Sequence, residues 1–346
     1  MLVALGSGKG GVGKTTLALA LAQHLCDRVH GVALVDADLG GRNLTAWLAP
    51  PGSGTPQVCS TSAQKCTIDS TGKLKLVSVC DAPGEAAEDG ALATRLIRTV
   101  RALDVPLTIM DLGPGTAAFT LDCFLASELG ILVTTPEPAA IHASFHFVEA
   151  CLLHGLHKRS TGRPEANTLL RFLRKRAGDH TPLRQLLGGF NRGRHCLSSL
   201  LESLLEQMRI GIVVNCVREA SDRRVGQALR AMLLDQLGLQ AELWGYVPYR
   251  PELRRLMRAT KTPGEQVQFF NGCLEQLTAI VELAATGLRK EWRPAFTPEN
   301  AAGNGRTLVC STKCSCWASC ELRRGGYPCP IMPLGELKTL LTTAIE

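Results

Sequence analysis

Eight residues near the N-terminus, Gly8-Lys9-Gly10-Gly11-Val12-Gly13-Lys14-Thr15, set glycines, a lysine and a hydroxyl at the spacing G-x-x-x-x-G-K-[ST]. The glycines let the backbone wrap so that successive N–H groups face a polyphosphate. Lys14 would put a positive charge on the β- and γ-phosphates, and the Thr15 hydroxyl would ligate Mg²⁺. Helix-period residues run from Thr15 to Leu25, so the positive end of a helix dipole adds to the pull on an anion. Gly8, Gly10, Gly11, Val12, Gly13, Lys14, Thr15 and Thr16 are the expected contacts of a nucleotide such as ATP.

Further polar residues stand at the ends of apolar runs. Asp36 closes Gly31–Asp36 (GVALVD) with Asp38 two residues on, and Asp111 closes Leu107–Asp111 before Gly113-Pro114-Gly115. Carboxylates at the ends of buried parallel strands lie where an α/β sheet keeps its ligands. The lesser alternative for Asp36 is a helix or turn cap, and Pro114-Gly115 alone is ordinary turn chemistry. Asn215 ends Ile210–Asn215 (IGIVVN), and its amide offers the donor and acceptor that an adenine edge requires. Ile131–Pro138 (ILVTTPEP) and Gly245–Tyr249 (GYVPY) end two more runs.

The second lysine of the loop, Lys9 followed by Gly10-Gly11, gives the form K-G-G-x-G-K-T, which resembles the deviant phosphate loop of the MinD/ParA family of ATPases. Asp36–Leu44 resembles that family's first switch, D-x-D-x-G-x-x-N-L, and Asp111–Gly115 its second. The resemblance implies roles. Lys9 crosses a dimer interface to the partner's nucleotide, where it offsets the repulsion of two facing triphosphates. Asp38 orients the attacking water or the Mg²⁺ shell, Asp111 holds Mg²⁺, and Gly115 gives its amide to the γ-phosphate. Asn215 reads the adenine, and Pro248 lies in the loop that packs against the base. The wording of the motifs is most similar to the FlhG/FleN-like flagellar-number branch. Two departures from that branch are expected: a start on the first strand without its activating N-terminal helix, and an extra segment at His157–Gln207.

The elements that must position these residues follow from periodicity. Apolar runs at Leu2–Leu5, Gly31–Asp36, Lys73–Val79, Leu107–Asp111, Ile131–Thr134, Ile210–Asn215 and Ala241–Val247 alternate with helical stretches. The helices fall at Thr15–Leu25, Leu92–Leu103, Leu121–Ser127, Ile141–Leu153 and Gly226–Leu237. The pattern predicts an α/β fold, a doubly wound, mostly parallel sheet with helices on both faces. The basic segment 157–207 reads as a helical insertion, with helices at Leu169–Leu173, Leu183–Leu187 and Leu197–Leu205. His142, His146 and His154 fall near one helix face, where a core or surface role is expected.

Of 346 residues, 45 % are hydrophobic and 20 % charged, with 14 cysteines and a net charge of +7. This composition builds a core and excludes a disordered or fibrous chain. No apolar run reaches the roughly 18 residues of a membrane span, and the N-terminus reads as no signal peptide. A cytoplasmic location is expected, or a peripheral one at the inner membrane or a cell pole. The ATPase domain is expected over 1–290, a linker over 291–306, and a Cys-rich tail with a last helix over 307–346. Cys310, Cys314, Cys316, Cys320 and Cys329 either hold Zn²⁺ or an iron–sulfur cluster or remain reduced thiols.

The expected function is an ATP- and Mg²⁺-dependent homodimerising switch that hydrolyses ATP slowly and regulates a cellular assembly through a protein partner or activator. Two alternatives stay open. One is a partition-type ATPase whose basic segment binds DNA non-specifically. The other is a metal-cluster scaffold or maturation factor that uses the C-terminal cysteines.

Overall fold

The computed structural model describes residues 1–26, 28–41, 44, 63–67, 73–79, 89–160, 194–249, 251 and 281. The Val/Ile/Leu runs form strands because each presents apolar side chains to both of its faces. They are β1 (Leu2–Gly6), β2 (Val32–Ala37), β4 (Leu74–Val79), β5 (Leu107–Leu112), β6 (Leu129–Thr134), β7 (Ile210–Val217) and β8 (Glu242–Pro248), joined by one strand without such a run, β3 (Ala63–Thr67). Along β1, Leu2 and Ala4 join one core while Val3 and Leu5 join the other. In β5, Met110 and Leu112 face the first core and Leu107 and Ile109 the second. Sheets covered in this way must be mostly parallel, since crossover helices supply both covers.

The strand order is β3-β4-β2-β5-β1-β6-β7-β8. Every pairing is parallel except β3 with β4. Seven strands therefore match the doubly wound expectation. The antiparallel edge strand β3 (AQKCT) is an addition, too short and too polar to stand out in the sequence. The chain winds to one side of β1 through β2 and β4, and after β5 to the other side through β6, β7 and β8. The C-terminal end of β1 thus lies where the winding changes side, the crevice in which such sheets bind ligands.

Helix α1 (Lys14–Leu25) covers one face, burying Leu17, Leu21 and Leu25. The other face is covered by α2 (Asp89–Arg101), α3 (Ala118–Leu125), α4 (Pro138–Arg159), α5 (Arg194–Gln207) and α6 (Arg224–Met232). Pro138 at the first turn of α4 fits a position whose N–H has no helical partner. Helix α4 runs six residues beyond the predicted Leu153, because Leu156 continues its buried stripe. After α6 the backbone widens into a π turn, Leu233–Leu237, which Gly238 ends at φ 71°. Leu201 and Leu204 of α5 are buried in the same core as Leu152 and Leu156 of α4. The last stretch of the segment 157–207 is therefore part of the sheet's helical cover. The helices predicted at Leu169–Leu173 and Leu183–Leu187, the linker, the C-terminal cysteines and the final helix lie outside the described residues. No helix among the described residues is long and apolar enough to cross a membrane.

Candidate functional site

The loop between β1 and α1 is Ser7–Gly13. Gly11 and Gly13 take φ values of 78° and 91°, a region that side chains rarely adopt. Gly13 stands at the head of α1, which has no side-chain cap and no acidic residue in its first turn. Its leading N–H groups are thus left for an anion. A Cβ on Gly13 would also meet the Asn215 Nδ2 at 2.1 Å. Gly8 has a different reason to be glycine: a Cβ there would sit 1.8 Å from the Ala143 carbonyl oxygen, so Gly8 lets α4 press against the loop.

Lys14 is buried, and its Nζ donates to Ser7 Oγ at 2.7 Å. Ser7 Oγ in turn donates to the Lys9 carbonyl at 2.8 Å, closing the loop on itself. Burial lowers the Lys14 pKa, opposed by Asp111 and Asp38. Lys9 is the contrast. Its side chain is 46 % exposed and reaches Glu137 Oε2 at 3.7 Å. Glu137, just ahead of α4, also accepts from Thr135 Oγ1 at 2.7 Å.

Asp36 and Asp111 are register partners on β2 and β5, both buried, on the face that α1 covers. Burial pushes the Asp111 carboxyl up to about 7, against a hydrogen bond from the Thr15 side chain and the charge of Lys14. The repulsion of Asp36 and Asp38 adds to the rise. Asp111 Oδ1 is buried with no hydrogen-bond partner among the described residues. An orphaned carboxylate oxygen beside a threonine hydroxyl and two further carboxylates fits Mg²⁺, which takes one or two carboxylates and completes its shell from phosphate and water. Asp111 and Thr15 would hold it. Asp38 accepts from the Gly40 and Gly41 amides, each at 3.2 Å, and its Oδ1 stands 3.0 Å from where a Cβ of Gly113 would be. The loop after Asp36 therefore packs on the loop after Asp111. No group of three or more His, Cys, Asp or Glu among the described residues is arranged to hold a metal by itself.

Three expected contacts have other partners here. The Gly115 amide, at φ 86°, donates to the Ser7 carbonyl at 3.1 Å, so serving a γ-phosphate means letting go of the loop. Asn215 Nδ2 donates to the Val12 carbonyl at 2.8 Å, and its Oδ1 accepts from the Cys216 amide at 2.9 Å. The asparagine thus clamps the phosphate loop to β7 and retains one N–H and one lone pair for a base. Pro248 ends β8 opposite Val217, and next to it the Arg218 guanidinium lies 4.5 Å above the Tyr249 ring. Sequence reasoning did not foresee Ser7 as the holder of Lys14, because a lone serine between strand and glycines carries no periodic signal. Asn43 of the first switch lies outside the described residues.

The sequence matches the family described as the CobQ/CobB/MinD/ParA nucleotide binding domain over residues 3–262. The chain belongs to this family. Similar curated proteins of the MinD/ParA group differ in role. They include a flagellum site-determining protein YlxH from Helicobacter pylori (28 % identical; 40 % of this chain, 49 % of that one). A septum site-determining protein MinD from Synechocystis is 30 % identical over 40 % of this chain and 55 % of its own length. An iron-sulfur cluster carrier protein from Synechocystis is 29 % identical over 40 % of this chain and 42 % of its own length. The chain spans about half the length of the curated relatives it matches. Among solved structures, the Cyanothece McdA(D38A)–ATP complex shares the fold, with TM-score 0.51, 13 % identity, and coverage of 84 % of this chain and 98 % of that one. Membership in the MinD/ParA-type nucleotide-binding family accounts for the phosphate loop and the seven parallel strands together.

Proposed function

We propose that the protein is an ATP-driven dimerising switch of the MinD type that hydrolyses ATP slowly and controls the placement or number of a cellular assembly. The observation that carries this reading is the division of labour between the two loop lysines. Lys14 is buried against Ser7 and faces the site of its own chain. Lys9 is about half exposed, and among the described residues its ammonium pairs with an exposed Glu137. An exposed pair of this kind contributes on the order of 0–1 kcal/mol, so Lys9 leaves it at small cost to reach a partner's nucleotide.

In the switch, Lys14 and the amides ahead of α1 bind the phosphates, Thr15 and Asp111 hold Mg²⁺, and Asp38 orients water. A bound Mg²⁺ supplies charge stabilisation to the transferring phosphoryl group. Gly115 exchanges Ser7 for the γ-phosphate, which ties the second switch to the state of the nucleotide. Among similar proteins, a flagellum site-determining protein and MinD support a positioning role. A second reading, delivery of an iron–sulfur cluster through Cys310, Cys314, Cys316, Cys320 and Cys329, is favoured by similarity to iron-sulfur cluster carrier proteins. Lys9→Ala is expected to retain MgATP affinity while its turnover falls to background, whereas Lys14→Ala loses both. Equal loss of affinity in the two variants would overturn the trans role of Lys9. Iron and sulfide bound to the purified chain would move the role towards cluster delivery.

A further inference from the structure

Helix α4 carries two histidines one turn apart, and this puts them on the same side. The Nε2 atoms of His142 and His146 lie 3.2 Å from each other. Two nitrogens bound to one tetrahedral zinc at about 2.0–2.1 Å lie about 3.3 Å apart, so these atoms already stand at the spacing of shared ligands. One turn further, Glu149 Oε2 is 2.9 Å from His146 Nδ1. A carboxylate in that place holds the proton on Nδ1 and leaves the Nε2 lone pair free to ligate. It also fixes the ring and raises its basicity, as outer carboxylates do for metal-bound histidines.

We infer that His142 and His146 form a binding site for a divalent transition-metal ion of the zinc class, with Glu149 as the positioning residue for His146. Imidazole nitrogen selects zinc, copper and nickel over Mg²⁺, which separates this site from the oxygen donors around Asp111. His142 is exposed and the His146 side chain is 43 % exposed, so water completes the shell and no third protein ligand is needed. Without metal the pair is held by an imidazole–imidazole hydrogen bond, its rings edge-on at 75° with centroids 4.2 Å apart. An ion replaces the shared proton, and rotation of the two rings about Cβ–Cγ aims both lone pairs at it. The site lies on the helix that Gly8 admits against the phosphate loop and whose N-terminal neighbour Glu137 holds Lys9. It does not depend on the dimerisation reading.

The test uses the full chain under reducing conditions, first stripped of metal. Equilibrium dialysis at micromolar free Zn²⁺ counts bound ions, with the cysteines giving a constant background. His142→Gln and His146→Gln should each bind one equivalent fewer than wild type, while His30→Gln, a surface control, binds the same number. Glu149→Gln should keep the equivalent at roughly tenfold weaker affinity. Histidine side-chain ¹⁵N spectra of the wild type remove any dependence on how the variants fold. Zn²⁺ should move the Nε2 signals of two histidines only, the pair absent from His142→Gln and His146→Gln spectra. Unchanged stoichiometry in both variants, or Zn²⁺ shifts confined to other histidines, would overturn the site.

Discussion

Asp111 sits at the strand end with a carboxyl that burial holds at about 7, next to Asp36. A carboxyl whose pKa is raised on folding favours the folded state below its unfolded value, about 3.9, and costs stability as pH rises through the folded value. The metal-free protein should therefore lose stability relative to Asp111→Asn as pH rises from 6 to 8, and MgADP should reverse the order. Thermal unfolding at both pH values, with and without MgADP, checks this. A gap independent of pH would contradict it. Gly13→Ala should remove nucleotide binding while leaving a folded chain, since a Cβ collides with the Asn215 amide at a strained φ. Fluorescent-nucleotide titration together with circular dichroism reads both. Residues of this kind were legible in the sequence where a motif names them: Lys14, Thr15, Asp38, Asp111. Partners set by chain crossings were not. Ser7 on Lys14, Asn215 on Val12 and Gly8 against Ala143 join positions whose juxtaposition only the fold creates.

The elements were legible in proportion to how far their apolar pattern departs from the background. All seven parallel strands have such runs, while β3 has none and is defined by its pairing to β4. Ends were less legible than centres. Helix α3 starts at Ala118, three residues before its predicted start, because Phe119 buries a ring that the apolar count at Leu121 did not require. Between α3 and α4, Asp122 accepts from His154 at 2.7 Å and Lys158 at 2.8 Å. Burial would raise its pKa, but these two partners outweigh it and hold the carboxyl below the ordinary range. A lowered carboxyl contributes stability above its unfolded value and loses it as pH falls through the folded one. The stability difference between wild type and Asp122→Asn should thus shrink below pH of about 4, measured by urea unfolding across pH. A constant difference would place the tie elsewhere. On the opposite face, Leu21 of α1 is fully buried, and Leu21→Ala should cost about 2–5 kcal/mol through the cavity it leaves. Chemical denaturation measures that loss, and a change below 1 kcal/mol (about a fivefold shift in equilibrium) would mean that α1 repacks.

At the scale of the whole molecule, one mostly parallel sheet brings the phosphate loop, the loops after Asp36 and Asp111 and the Lys9–Glu137 pair to the strand ends where its winding changes side. That gathering was legible because the motifs occur in family order along the chain. The cellular role was less so, since flagellar, septal and iron–sulfur proteins resemble this chain to similar degrees over equal shares of it. The proposed switch depends on Lys9 serving a second copy's nucleotide. The mass of the purified chain in solution tests it most directly, by light scattering in MgATP and in MgADP, for wild type and Lys9→Ala. A trans role for Lys9 predicts a dimer for wild type in MgATP alone and a monomer for Lys9→Ala in both nucleotides. A Lys9→Ala protein that dimerises in MgATP as wild type does would contradict it.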